Sequence, residues 1–232
     1  MKIISWNVHY DMTHKKYSHI MQKNPNILII LECEKNSFDF IKSDWHYSNW
    51  YNDDLNNEDS KLGVAIFSNN YPIEFCEYFN RNYRYVIPYR LNILNRSLIL
   101  FVVWTKKGAL DYEKNIIATL EDEIYKSYLE SDCLFIGDFN TATTADNCTD
   151  YEKILERGLI NTAFPEDIFK PTYFGSGKYY TNDYCLITEQ MDKHFSVSTH
   201  ILGLNEGIDG VNKYEELSDH CPIIVDIERK SV

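Results

Sequence analysis

Ten short runs with the composition of β-strands recur along the chain, and they constrain its fold more than any other feature. They fall at 2–8, 27–32, 62–68, 72–79, 83–94, 97–104, 133–137, 183–188, 194–201 and 221–227. Most are rich in Ile, Leu, Val, Phe or Tyr and bounded by polar or turn-forming residues. Helical spacing intervenes between some of them. Residues 14–23 put Tyr17, Ile20 and Met21 on one face, and 111–130 repeats Ile116, Ile117, Leu120, Ile124 and Tyr128 with acidic residues opposite. A third helix, 151–157, is closed by Gly158 as its C-cap. Ten strands and three or four helices suit two packed sheets with helices outside. No internal repeat, low-complexity tract or long linker divides the chain, so one domain spanning 1–232 is expected. The segments 52–60 and 141–150 read as polar surface loops.

The segment 83–104 is a hairpin candidate turning near Asn95-Arg96. Its first arm would put Tyr85, Ile87, Tyr89, Leu91 and Ile93 on one face and Arg84, Arg90 and Asn92 on the other. Pro88 points to an edge position or a bulge there.

Composition narrows the function classes. A chain of 232 residues can bury about 70% of its unfolded surface without disulfide staples. At 44% hydrophobic residues it is too apolar for a disordered protein. No apolar run, 27–31 and 98–104 included, is long enough to span a membrane, and no secretory signal precedes the first strand, so a cytoplasmic protein is expected. The six cysteines show no C-x-x-C spacing, which favours buried thiols in a reducing compartment over zinc ligands or disulfides. A net charge of −12 excludes a protein that coats nucleic acid by bulk positive charge, but not one with a local basic groove.

Acidic and amide residues gather at strand ends. Asn7 ends the first strand, Glu32 and Glu34 close the second, and Asp138 and Asn140 follow 133–136 in Gly137-Asp138-Phe139-Asn140. Asp183 opens a later strand, and Ser218-Asp219-His220 precedes the last. The ends of strands are where α/β folds present functional groups. Carboxylate and amide oxygens suit Mg²⁺ or Mn²⁺ rather than zinc.

In order, Ile4-Ser5-Trp6-Asn7-Val8, Pro25-Asn26-Ile27-Leu28-Ile29-Ile30-Leu31-Glu32, Gly137-Asp138-Phe139-Asn140, Asn182-Asp183-Tyr184 and Ser218-Asp219-His220-Cys221-Pro222 resemble the endonuclease/exonuclease/phosphatase superfamily over essentially the whole chain. The resemblance implies a four-layered α/β sandwich, two packed mixed β-sheets flanked by helices. It implies a Mg²⁺- or Mn²⁺-dependent phosphodiesterase in which Glu32 binds the metal, with Asn7 beside it and Asp219 nearby. Asp138 and Asn140 then position the attacking water and the scissile phosphate, and His220, held by Asp183, stands next to that phosphate. The chemistry agrees: phosphodiester hydrolysis needs a cation, an aligned water, and donors where charge accumulates. An Asp-oriented His supplies proton transfer or a positive donor.

The chain departs from the family pattern in places. Glu34 stands where many relatives carry Lys, Leu31 where they carry Gln, and Asn182 where they carry an apolar residue. Trp104-Thr105-Lys106-Lys107 occupies the place of a phosphate-contacting His or Tyr. Trp cannot act as acid or base, so either Trp104 is a packed aromatic or Lys106 or Lys107 takes over phosphate binding. From 78 to 110 there is no Asp or Glu, while Arg81, Arg84, Arg90, Arg96, Lys106 and Lys107 contribute +6, leaving −18 on the rest. Tyrosines interleave with these arginines, which suits a polyanion, with Arg84, Arg90, Lys106 and Lys107 as its contacts. Pairing of the arginines with the acidic helix 111–130 is the bland alternative. The leading expectation is therefore a nuclease. A phosphoesterase acting on a small molecule or lipid head group comes second, and a silent binding protein on the same fold third. No protein partner is evident.

Overall fold

The computed structural model describes residues 1–52, 61–93, 95–107, 110–175, 177–203 and 217–231. In chain order the strands are β1 (Lys2–Tyr10), β2 (Ile27–Glu34), β3 (Tyr47–Tyr51), β4 (Leu62–Ser68), β5 (Glu74–Phe75), β6 (Val86–Ile93), β7 (Arg96–Trp104), β8 (Asp132–Thr143), β9 (Leu159–Asn161), β10 (Thr181–Thr188), β11 (Phe195–Ile201) and β12 (Ile223–Arg229). The helices are α1 (His14–Met21), α2 (Lys35–Ile41), α3 (Tyr112–Glu121), α4 (Lys126–Leu129), α5 (Thr149–Leu155) and α6 (Glu189–His194). Strands β11-β12-β1-β2-β4-β3 form one six-stranded sheet and β5-β6-β7-β8-β10-β9 the other. Each is mixed, with one parallel pair at its centre, β1/β2 and β7/β8.

The sheets pack face to face. Ile3, Ile29, Leu31 and Val225 from the first meet Ile87, Leu100, Val102 and Ile136 from the second in a fully buried slab. Outside the first sheet, Tyr17, Ile20, Phe38 and Ile41 of α1 and α2 cover Ile4, Trp6 and Leu28. Outside the second, Ile116, Tyr128, Tyr151 and Ile154 of α3, α4 and α5 cover Phe101, Phe135 and Leu186. This is the expected four-layered α/β sandwich. All six cysteines are free, five of them buried, and among the described residues no helix is long and apolar enough to cross a membrane.

The hairpin of β6 and β7 keeps the expected parity. Tyr85, Ile87, Tyr89, Leu91 and Ile93 face the inter-sheet core, while Arg90 and Asn92 are exposed. Asn95 turns it with φ 64°. Pro88 breaks nothing because its carbonyl, accepting from Cys76 N–H at 3.1 Å, faces the margin covered only by β5. Its missing donor faces the same side.

Several expectations are corrected. The strand at 72–79 shrinks to Glu74–Phe75. The helix at 111–130 ends at Glu121, because Asp122 takes an extended conformation and caps a 3-10 turn through Ile124 N–H. The same carboxylate accepts from Tyr83 Oη (2.7 Å) and Asn80 Nδ2 (3.1 Å), so that its interactions outweigh helical continuity. Residues 141–143 extend β8 instead of starting a loop. Strands β3 and β9 and helices α2 and α6 have no counterpart in the sequence pattern. All four are short, and β3, with the sequence Tyr-Ser-Asn-Trp-Tyr, is a half-exposed edge without apolar alternation. The expected loop at 52–60 lies outside the described residues beyond Asn52.

Candidate active site

The carboxyl ends of β1 and β2 in one sheet, and of β7 and β8 in the other, meet at one end of the sandwich. Two strands are distorted there. In β2, Leu31 pairs with Val64 and Cys33 with Gly63, so Glu32 bulges out with φ 55°. In β8, Asp138 pairs with Asp183 and Thr143 with Thr181, so three extra residues loop out and give Asn140 φ 49° and Ala142 φ 48°. Bulges re-aim side chains, and left-handed backbone in non-glycine residues persists only where its surroundings enforce it. Asn182 helps to enforce it. Its Oδ1 accepts from Ala142 N–H at 2.9 Å, which gives this departure from the family pattern a structural role.

Asn7 joins the two sheets. Its Nδ2 donates to Glu32 Oε1 and to Asp138 Oδ2, each at 3.1 Å, while its Oδ1 accepts from His9 N–H. Asp138 is further held by Asn140, through N–H to Oδ1 (2.9 Å) and Nδ2 to Oδ2 (3.0 Å). Asn140 Nδ2 also donates to Thr105 O, tying the bulge to the end of β7. Behind these lies His220, with Nδ1 2.8 Å from Asp183 Oδ2 and Nε2 3.8 Å from Asp138 Oδ2. The last segment is fastened by Trp6 Nε1 donating to His220 O (2.8 Å) and Ser218 Oγ donating to Asn7 O (2.8 Å).

Asp138, Asp183 and His220 form a buried trio in which the charges of the partners act on Asp138 and on His220. Burial pushes Asp138 up to about 7; the His220 charge opposes this and the Asp183 charge reinforces it. For His220 burial acts downward, but Asp183 and Asp138 outweigh it and hold the imidazole up at about 10. Asp183 Oδ1 has no hydrogen-bond partner among the described residues, so its carboxylate is compensated mainly through His220.

Two groups could hold a cation. Asp138, Asp183 and His220 offer atoms within 4.8 Å of one another. That trio fits an ion poorly, because His220 Nδ1 is engaged with Asp183 and both oxygens of Asp138 accept amide donors. The rim fits better. Glu32 and Asp219 are partly exposed, and both have a carboxylate oxygen near His9 Nδ1. Asn7 points its nitrogen, not its oxygen, at Glu32, so in this arrangement it orients the carboxylate.

The basic residues divide. Trp104 is 2% exposed and packed on Tyr85 (4.8 Å between rings), with Lys106 Nζ 3.6 Å from its ring centroid. It is a packed aromatic that carries Lys106. Lys106 and exposed Lys107 follow Trp104, whose register partner is Asp138, and Arg84 precedes Val86, the partner of Val103. These three lie at the site end. Arg90 does not. It sits four residues down β6 on the outer face, roughly 13 Å away along the strand. Arg96 lies at the opposite end, its Nε donating to Asp132 at 2.6 Å.

Two further residues at the site carry no signal in the sequence. His9 lies two positions past Asn7, where its spacing gives no cue. Tyr173 follows Lys170-Pro171-Thr172, outside every strand, helix or loop that the sequence pattern marks, yet its ring is 5.0 Å from His220. Burial, together with the charges of Asp219, Asp138 and Glu32, raises the phenol of Tyr173, which therefore lines the same pocket. The adjacent Thr172 accepts Asp183 N–H on Oγ1 and Cys221 N–H on its carbonyl.

No protein-family model and no curated protein matches this sequence. Solved structures do. An endonuclease/exonuclease/phosphatase family protein from Leptotrichia buccalis superposes with a TM-score of 0.65 at 19% identity, covering 98% of this chain and 99% of that one. The 3'-5' exonuclease NExo from Neisseria meningitidis gives 0.63 at 18%, covering 98% and 100%. Danio rerio TDP2 complexed with a single-strand DNA product gives 0.68 at 13%, covering 98% of each chain. The chain has the fold of the endonuclease/exonuclease/phosphatase proteins.

Proposed function

We propose that the chain is a phosphodiesterase dependent on Mg²⁺ or Mn²⁺ that hydrolyses nucleic acid, with 1–232 as one catalytic domain. The observation that carries this reading is the Asn7 amide, which bonds Glu32 in one sheet and Asp138 in the other, 3.1 Å each, beside the buried His220–Asp183 pair. A structural polar cluster has no need of strained bulges at Glu32 and Asn140.

Glu32 and Asp219, with Asn7 orienting the former, would hold the cation, which would neutralise charge on the phosphate and on the departing oxygen. Asp138, hydrogen-bonded by Asn7 and Asn140, accepts a proton from the attacking water as the new P–O bond forms. Asn140 fixes the direction of that carboxylate. His220, charged and clamped by Asp183, donates to a non-bridging oxygen of the phosphate as negative charge accumulates there. The bond to the leaving oxygen breaks, and that oxygen takes its proton from solvent. Tyr173 shields the face of His220. The nucleic-acid reading draws on Arg84, Lys106 and Lys107 at the site end, and on the DNA products named for NExo and TDP2.

The test is a panel of plasmid DNA, single-stranded DNA, RNA, abasic duplex, inositol phosphates and sphingomyelin, with Mg²⁺ or Mn²⁺ and after chelation. Turnover of a nucleic acid that stops in EDTA is expected. Turnover confined to a small phosphoester would transfer the chain to that substrate class, and full activity after exhaustive chelation would overturn the reading.

A further inference from the structure

We propose that His9 is a nitrogen ligand of the catalytic cation and makes the centre selective for Mn²⁺ over Mg²⁺. This rests on the metal-dependent reading above and adds a donor to it. His9 Nδ1 lies 3.4 Å from Asp219 Oδ2 and 4.0 Å from Glu32 Oε2. Two donors each about 2.1 Å from one ion stand roughly 3.0–4.2 Å apart for angles between about 90° and 180°. Both separations fall in that range, so the three side chains have the spacing of atoms sharing one ion.

The backbone is built to hold the imidazole there. His9 and Tyr10 both take left-handed conformations, φ 49° and 78°, at the point where the pairing of β1 with β2 slips. His9 N–H donates to Asn7 Oδ1. Buried Lys16 donates from Nζ to the carbonyls on either side of this turn, Val8 O at 2.6 Å and Asp11 O at 2.7 Å. A merely solvated histidine has no need of such support. Among the described residues, the ion-pair contacts of Glu32 and Asp219 run to His9. The histidine side chain is 53% exposed, leaving the group open to solvent and substrate.

Selectivity follows from donor chemistry. Mg²⁺ prefers oxygen donors and gives up its waters reluctantly, whereas imidazole suits later divalent ions. One nitrogen beside two carboxylates therefore favours Mn²⁺ and the metals above it in the affinity series over Mg²⁺.

The test reads binding, not turnover. Metal-free protein is titrated calorimetrically with MnCl₂ and MgCl₂, and bound Mn²⁺ is examined by electron spin-echo modulation for coupling to a directly bound ¹⁴N. The parent should show the coupling and bind Mn²⁺ the tighter. Losing even an outer partner of a ligand weakens metal binding roughly 10–100-fold, so His9→Ala should weaken Mn²⁺ by about tenfold or more while Mg²⁺ changes little. His9→Asp, an oxygen donor, should lose the coupling and move the preference toward Mg²⁺. Because the side chain is largely exposed, both variants should still fold cooperatively, as their melting curves would show. Mn²⁺ bound through Glu32, lost in Glu32→Gln but without ¹⁴N coupling, would overturn the role of His9 and spare the phosphodiesterase reading. An unchanged Mn²⁺/Mg²⁺ ratio in His9→Ala would do the same. A protein that binds neither ion would overturn both.

Discussion

His220 is the residue whose state depends most on its surroundings. Its folded value, near 10, exceeds the roughly 6.5 of a free imidazole, so the folded protein holds the proton more tightly than the unfolded chain. That linkage stabilises the fold fully below about pH 6.5 and is lost as pH rises through about 10. In EDTA, the melting temperature of the parent should therefore exceed that of Asp183→Asn most near pH 6, and the gap should close toward pH 11. A gap independent of pH would mean a neutral ring. In turnover, His220→Ala should lose roughly 10²- to 10⁴-fold, the usual loss for a positioned acid or base. Asp183→Asn should lose much of the same activity, and the double variant should be little worse than His220→Ala, since the pair acts as a unit. Additive losses in kcat/KM would separate their roles. These residues are legible in the sequence because each closes or opens an apolar run. His9 and Tyr173 are not, since only the folding of distant segments brings them beside Glu32 and His220.

At the scale of the elements, the site depends on how β8 is seated between its neighbours. Gly137 has φ 138°, and a Cβ there would stand 2.0 Å from Val103 O on β7. Gly137→Ala must move one strand or strain the other, at a cost of about 1–3 kcal/mol. For a chain of this size that lowers the melting temperature by a few to about ten degrees, measurable by calorimetry. An unchanged melt would show that β7 yields freely. The long buried strands are legible because both faces of a central strand are apolar, as in β2 and β7. The short elements are not: α2 has no side-chain cap at Glu34, and is held by the burial of Phe38 and Ile41 against a sheet that does not exist locally. Linear proximity also misleads, for the arginines clustered in sequence are dispersed along β6 and β7 to opposite ends of the sandwich.

Across the whole molecule, that dispersal gives a sharper test of the nucleic-acid reading than composition allows. Lys107→Ala, at the site end, should reduce the salt dependence of duplex binding by about one unit per lost phosphate contact. Arg90→Ala, on the outer face, should leave the slope unchanged, as should either variant acting on a small diester. Equal effects of both substitutions, in binding measured against salt, would mean a footprint wrapping the outer face. The Asn7 amide has a further consequence. Its two carboxylate partners belong to different sheets, so the reactive geometry exists only while the sandwich is closed, and no separate layer could retain a working fragment. Catalysis should then serve as a probe of inter-sheet cohesion. In urea, the loss of turnover and the loss of near-ultraviolet circular dichroism should share one midpoint, whereas activity vanishing well before the aromatic signal would reveal sheets that part at the site end while the remainder stays packed.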